Sequence, residues 1–256
     1  METMKRSQQG FSLMELLVVV AILTLIMAMV FTAVSHVQRR SNVEAQRVDV
    51  TQGARELIDQ ISRDLRNSGY PRPKMYDPTA AVNANDVAAG LLAVSATELR
   101  FEGDIDGSGH VSSVGYRVTA APDGKCPCII ERSARWKAGF WTDFYEQALG
   151  NVINSTGGGS AWAISGTTPK GVSNDVVYAN FKTAPVFQYL TKYNGFVTVP
   201  TDLTGGNLAT GQAATTNVAS VLVTVNVLSP QPDQQTGMRS GTTLQTSIKL
   251  PNRTLP

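Results

Sequence analysis

Between two alternating runs lies the stretch Asp104-Ile105-Asp106-Gly107-Ser108-Gly109-His110, whose oxygen donors are spaced for a metal ion. Counting Asp104 as the first position, side-chain oxygens at Asp104, Asp106 and Ser108, a glycine at Gly109 and the carbonyl of His110 match the opening of a calcium loop. In such a loop alternate residues point inward and the glycine permits the sharp turn. The closing carboxylate is missing, because Gly115 stands where a bidentate glutamate would sit. Glu102, another distant carboxylate or water would have to complete the shell. The same residues also suit a polar β-turn, whose backbone angles Asp and Gly tolerate. Calcium is the one cofactor that the sequence leaves open.

Cys126-Pro127-Cys128 is the whole cysteine content. In an oxidising compartment two free thiols are unusual, so either they join each other in a tight ring across one proline or one of them pairs with a partner subunit. A disulfide between Cys126 and Cys128 is the favoured expectation. The C-x-x-C spacing of thiol oxidoreductases is absent. Cys126, Cys128, His36 and His110 have no zinc-site spacing. Neither histidine is placed to activate a nucleophile, and Ser155-Thr-Gly-Gly-Gly-Ser160 lacks the lysine, preceding strand and following helix of a phosphate loop. The sequence argues against an enzyme. An unassigned group of aromatics from Trp136 to Tyr145 is all that favours one.

A different kind of chemistry is suggested by one carboxylate near the N-terminus. Gly10 to Val34 starts at the last residue of a basic decapeptide, METMKRSQQG, and once Glu15 is passed it runs for about twenty residues without a charge, enough to cross a bilayer as a helix. An ordinary secretory signal has a shorter apolar core and a small-residue cleavage site beyond it. Here Val34-Ser35-His36-Val37-Gln38-Arg39-Arg40 follows, so a cut is better placed before the helix than after it. Ser12-x-x-Glu15 is a capping box that starts the helix. A carboxylate carried deep into a bilayer nevertheless costs about 2.5 to 3.5 kcal/mol, and many uncharged residues begin helices. A partner charge is the better explanation for Glu15.

Gly10-Phe11-Ser12-Leu13-Met14-Glu15 and the apolar run after it resemble the class III signal of type IV pilins and type II secretion pseudopilins. The resemblance implies that a membrane prepilin peptidase cuts between Gly10 and Phe11, that the new N-terminal Phe11 is N-methylated, and that the helix stays as the anchor. It also supplies the partner charge. Glu15 would pair with the free amine of Phe11, in its own subunit or in a neighbour, where both groups are out of water and the attraction is less screened. Many major pilins carry a glycine and a proline in the membrane half that let the helix melt on assembly. The corresponding positions here are Thr24 and Thr32, which predicts an intact helix.

Beyond the apolar run, Val50, Ala54, Leu57, Ile58, Ile61 and Leu65 form the stripe of an amphipathic helix, with Arg55, Asp59, Arg63 and Arg66 on other faces. One helix from about Ser12 to Asn67 would span roughly 80 Å. Asn67-Ser68-Gly69-Tyr70-Pro71 stops it, since glycine fits the left-handed C-terminal position and proline cannot continue. The phrase Ile61-Ser-Arg-Asp-Leu-Arg-Asn-Ser-Gly-Tyr-Pro71 is similar to the segment that ends the long helix in PilW-like minor pilins, a family related to the J-type minor pseudopilins. This resemblance covers the first seventy or so residues well and the rest in outline.

After an irregular connection over 72–90, Leu99 and Phe101 alternate with charges, as do Val114, Tyr116 and Val118 across the Gly/Asp cluster, which makes a hairpin. Further strands are expected at Ile129–Arg132, Val176–Lys182, Val186–Leu190, Val218–Leu228 and Thr243–Leu250. The last two form the clearest pair. Trp136, Phe140, Trp141, Phe144, Tyr145 and Leu149 suit a short amphipathic helix or an aromatic loop. The predicted fold is α+β, a long N-terminal helix laid on a mainly antiparallel sheet. Its expected parts are a leader (1–10), a membrane or filament-core helix (11–34), an amphipathic continuation (35–70) and a β-rich head (71–256).

At 256 residues, 16% of them charged, and a net charge of +2, the chain has no basic footprint for nucleic acid and suits an exported protein. Lys5 and Arg6 favour a cytoplasmic leader, while Arg39, Arg40 and Arg47 weaken that charge signal. Orientation therefore rests on the leader motif. The expected function is that of a PilW-like minor pilin that initiates or primes type IV pilus assembly. Its implied partners are the prepilin peptidase, other minor and major pilins and the inner-membrane assembly platform. It would reside in the inner membrane with a periplasmic head and, once assembled, at the cell surface. The alternatives are a J-type minor pseudopilin of a type II secretion filament and, from another class, an adhesin or calcium-regulated ligand-binding head.

Overall fold

The structure, a computed structural model, describes residues 12–71, 84–119, 128–137, 144–154, 185–191, 218–230, 239 and 241–251. It divides into two units, Met1–Ala45 and Gln46–Pro256.

One helix, α1, runs from Leu13 to Arg66. In the second unit its apolar stripe is the helical share of the core: Ala54, Leu57, Ile58, Ile61 and Leu65 are buried together with residues of the sheet, and Val50 packs at the edge of the cluster. The helix ends as the sequence requires. Gly69 takes a positive φ of 75°, which costs a glycine little, and the Tyr70-Pro71 peptide is cis.

Eight antiparallel strands make one sheet among the described residues, and with α1 they form the expected α+β fold. They are β1 (Leu91–Val94), β2 (Glu98–Gly103), β3 (Ser112–Thr119), β4 (Cys128–Trp136), β5 (Glu146–Val152), β6 (Phe187–Leu190), β7 (Ser220–Leu228) and β8 (Gly241–Lys249). The order is β1-β2-β3-β4-β5-β7-β6, with β8 on β7. The predicted hairpin is β2–β3, in the register Leu99↔Tyr116 and Phe101↔Val114, which sets all four side chains in the core. The predicted C-terminal pair is β7–β8, paired from Ser220↔Lys249 to Leu228↔Gly241.

β5 meets β7 through one residue pair, Val152↔Val227. Just beyond it the Asn154 side chain acts as a substitute strand edge. Its Oδ1 accepts from Asn226 N (2.8 Å) and its Nδ2 donates to Thr224 O (2.7 Å).

Three local readings are corrected. The strand expected at Ile129–Arg132 extends from Cys128 to Trp136. Leu149, read as part of a short helix or aromatic loop, lies in β5 instead, because pairing with β4 through Ile130↔Leu149 overrides the local pattern. β1 was not anticipated, being four residues of ordinary composition that pair with β2. The strand expected at Val176–Lys182 lies outside the described residues.

Candidate processing and assembly site

Gly10 and Phe11, where cleavage is expected, lie outside the described residues, which begin at Ser12. The Ser12 carbonyl accepts from Glu15 N (3.0 Å) and Leu16 N (3.1 Å), so the first turn of α1 closes directly behind the expected cut. Glu15 is in that turn and is exposed. From Leu13, 79% exposed, to Val34, 45% exposed, every large apolar side chain faces outward, and none of the helix's apolar window is buried. Each such side chain gains about 1.5 to 3 kcal/mol on burial. Their sum outweighs the about 2.5 to 3.5 kcal/mol that Glu15 would cost at depth, so lipid or neighbouring helices are the favourable surroundings.

Thr24 and Thr32 are compatible with that setting. Thr24 Oγ1 donates to Ala21 O (2.8 Å), and Thr32 Oγ1 donates to Met29 O (2.7 Å) and Ala28 O (3.0 Å). Back-bonding of this kind satisfies a hydroxyl where water is absent. The helix is unbroken at both positions.

At its other end α1 is tied to the sheet by charge. Tyr116 donates its hydroxyl hydrogen to Asp64 Oδ2 (2.6 Å), and Arg132 reaches the same oxygen through Nε (3.0 Å) and Nη2 (2.9 Å) while its Nε also donates to the Tyr116 oxygen (3.1 Å). The sequence reading missed this group. The one local signal was the place of Asp64 on the Leu57–Ile61 stripe, while Tyr116 and Arg132 are set opposite each other only by the β3–β4 register. Within the head, Glu102 forms an ion pair with Lys137 Nζ (2.7 Å) and accepts from the backbone N–H of Ala89 (2.9 Å).

Burial first, then the neighbouring Asp64 charge and hydrogen bond, push the Tyr116 hydroxyl pKa far above its ordinary value, and burial does the same to Tyr189. A raised tyrosine pKa favours the neutral form in the fold. That contribution is complete below the unfolded value near 10 and is lost as the pH rises toward the folded value. The melting temperature is therefore expected to hold up to about pH 10 and fall above it, with a shallower fall in Tyr116→Phe. Thermal unfolding followed across that range checks this, and identical alkaline slopes in the two proteins would contradict it.

Asp104, Asp106, Ser108 and His110, the expected metal ligands, lie in the loop between β2 and β3, where among the described residues no three His, Cys, Asp or Glu side chains converge. Gly109 N donates to Asp104 Oδ2 (3.0 Å), Ser108 N to Asp106 Oδ1 (3.1 Å) and His110 N to Ser108 Oγ (3.3 Å). Glu102, one of the carboxylates considered for closing the shell, is held by Lys137 and Ala89 instead. Gly115 lies within β3, opposite Arg100 and Ser133. His110 packs its ring on Trp136, with centroids 4.5 Å apart. His36 lies in the other unit, on α1. Cys128 is buried and disulfide-bonded, and the chain's other cysteine, Cys126, is outside the described residues.

Residues 5–31 match the sequence family described as the prokaryotic N-terminal methylation motif. No curated protein and no solved structure matches the chain. The matched segment runs from the basic leader through Glu15 into the exposed apolar part of α1, and this motif is that of the type IV pilin and pseudopilin class, whose members are cut by a prepilin peptidase, anchored by the helix and assembled with other pilins.

Proposed function

We propose that this chain is a PilW-like minor pilin that primes assembly of a type IV pilus. The observation that carries the reading is an unbroken apolar helix, unburied along its first half and with Glu15 in its first turn, directly after the Gly10-Phe11 step. The minor-pilin assignment draws further support from the phrase that ends the helix. Its Asp64 accepts the hydrogen bonds that bind α1 to the sheet, and its Gly69 makes the left-handed stop.

The mechanism is physical. Cleavage before Phe11 frees an amine, and Glu15 pairs with such an amine in a neighbour. The apolar helix then exchanges lipid for other helices, and the head supplies lateral contacts. Before assembly the protein sits in the inner membrane with its head in the periplasm.

The test is the intact mass and N-terminal peptide of the protein from native membranes and from sheared surface filaments. The expected result is a chain that begins at N-methyl-Phe11 in both fractions. Processed chain in membranes alone would favour an assembly primer that stays out of the filament, or a pseudopilin. A chain that still begins at Met1 would refute it.

A further inference from the structure

We propose that the β2–β3 loop is a calcium site, with Asp104 and Asp106 as charged ligands and Ser108 and backbone carbonyls as neutral ones, and that the ion clamps the loop to the end of α1. The inference does not depend on the filament reading.

The observation behind it is a buried charge left partly unsatisfied. Asp104 is only 6% exposed. Its Oδ2 accepts from Gly109 N, but its Oδ1 is buried without a hydrogen-bond partner. A buried carboxylate oxygen left in that state is costly and calls for a proton, a water or a cation. Asp106 lies two residues further on in the same loop, at an exposed position, with its Oδ1 accepting from Ser108 N (3.1 Å). Two carboxylates in one short loop match the charge of one divalent ion.

Loop chemistry selects the ion. The donors are oxygens, which suit hard cations rather than zinc or copper, and the His110 ring is engaged with Trp136. Gly107 and Gly109, at φ of 72° and 82°, let the chain curl around a centre. Among the described residues no three His, Cys, Asp or Glu side chains converge, so water must fill part of the shell. Calcium accepts such an irregular, partly hydrated shell more readily than magnesium does. Two carboxylates and no closing glutamate place the dissociation constant at about 0.1 to 1 mM, the range of extracellular modules.

The first ligand also connects to the helix end. Asp104 N donates to Tyr70 O (2.8 Å), and its neighbour Gly103 bridges Ser68. A Cβ on Gly103 would collide with the carbonyl oxygen of Asn67, so strand and helix end touch through backbone. Occupancy of the loop therefore stiffens the junction from which the head is held.

The experiment uses the full chain in detergent, titrated with terbium chloride alone and excited at tryptophan wavelengths, because the Trp136 ring lies against the His110 ring at the end of the loop. The expected result is saturable terbium emission that calcium displaces and equimolar magnesium does not. Calcium at about ten times its dissociation constant is expected to raise the melting temperature by roughly 4 °C. Asp106→Asn, at an exposed position, is expected to weaken binding at least about tenfold and remove the shift. Asp104→Asn should do the same. Trp136→Phe is expected to lose the emission and keep the calcium shift. The proposal fails if about 10 mM calcium leaves the wild-type melting temperature unchanged. It fails equally if the shift persists in Asp106→Asn, which decides the matter even if Asp104→Asn does not fold.

Discussion

Glu15→Leu is expected to leave the protein in the membrane, still cut before Phe11, and to lower its recovery in sheared filaments by at least about tenfold. In a low-polarity setting an ion pair at 4 Å is worth about 4 kcal/mol at an effective dielectric of 20. One third of that is already about tenfold in equilibrium. Leucine preserves the helix and adds apolar surface, so any loss of incorporation reports the charge rather than the anchor. Glu15→Asp keeps the charge on a shorter arm and is expected to lose less. Quantitative immunoblots of membrane and filament fractions, with the N-terminal peptide checked in each, measure the effect. Equal recovery of Glu15→Leu and wild type would remove the pairing role and leave Glu15 as a helix cap.

Asp64→Ala is expected to cost about 3 kcal/mol of head stability, read as a fall of roughly 10 °C in the melting temperature of the full chain. Asp64 Oδ2 accepts from Tyr116 and twice from Arg132, so truncation strands a buried hydroxyl and a guanidinium that is 22% exposed. That remaining exposure lets Arg132 recover some hydration, which places the cost at the lower end of the range for a broken buried pair. Replacing both partners, as in Asp64→Leu with Arg132→Met, removes the orphaned charge and is expected to recover most of the loss. If the double variant is as unstable as Asp64→Ala, the group contributes through its fit with Tyr116 rather than through charge balance.

The elements that were legible in the sequence are those whose pattern is local. The stripe from Val50 to Leu65 has a helical period, and five of its six residues are buried. The alternation in Leu99–Phe101 and Val114–Val118 specified the β2–β3 hairpin, whose register the structure then gives. What escaped was set by neighbours distant in the chain. β1 is too short to carry a period, and it is a strand because β2 lies beside it. Leu149 follows aromatics that suggested a helix or a loop, yet it is drawn into β5 by pairing with Ile130 of β4.

The candidate sites divide in the same way. Gly10, Phe11 and Glu15 are readable from order and spacing alone, because they lie within one linear segment that matches the N-terminal methylation motif. The Asp104–His110 loop was also legible as a list of donors. The buried, unpartnered Oδ1 of Asp104 and the engagement of Glu102 by Lys137 emerged only when α1, β2 and β4 came together. By itself the sequence determined the anchor, the expected cut, the helix and its stop, since each depends on residues within a few turns of one another. Tertiary structure alone decided which charges are buried and paired, because burial and pairing depend on the approach of segments as far apart as Asp64 and Arg132.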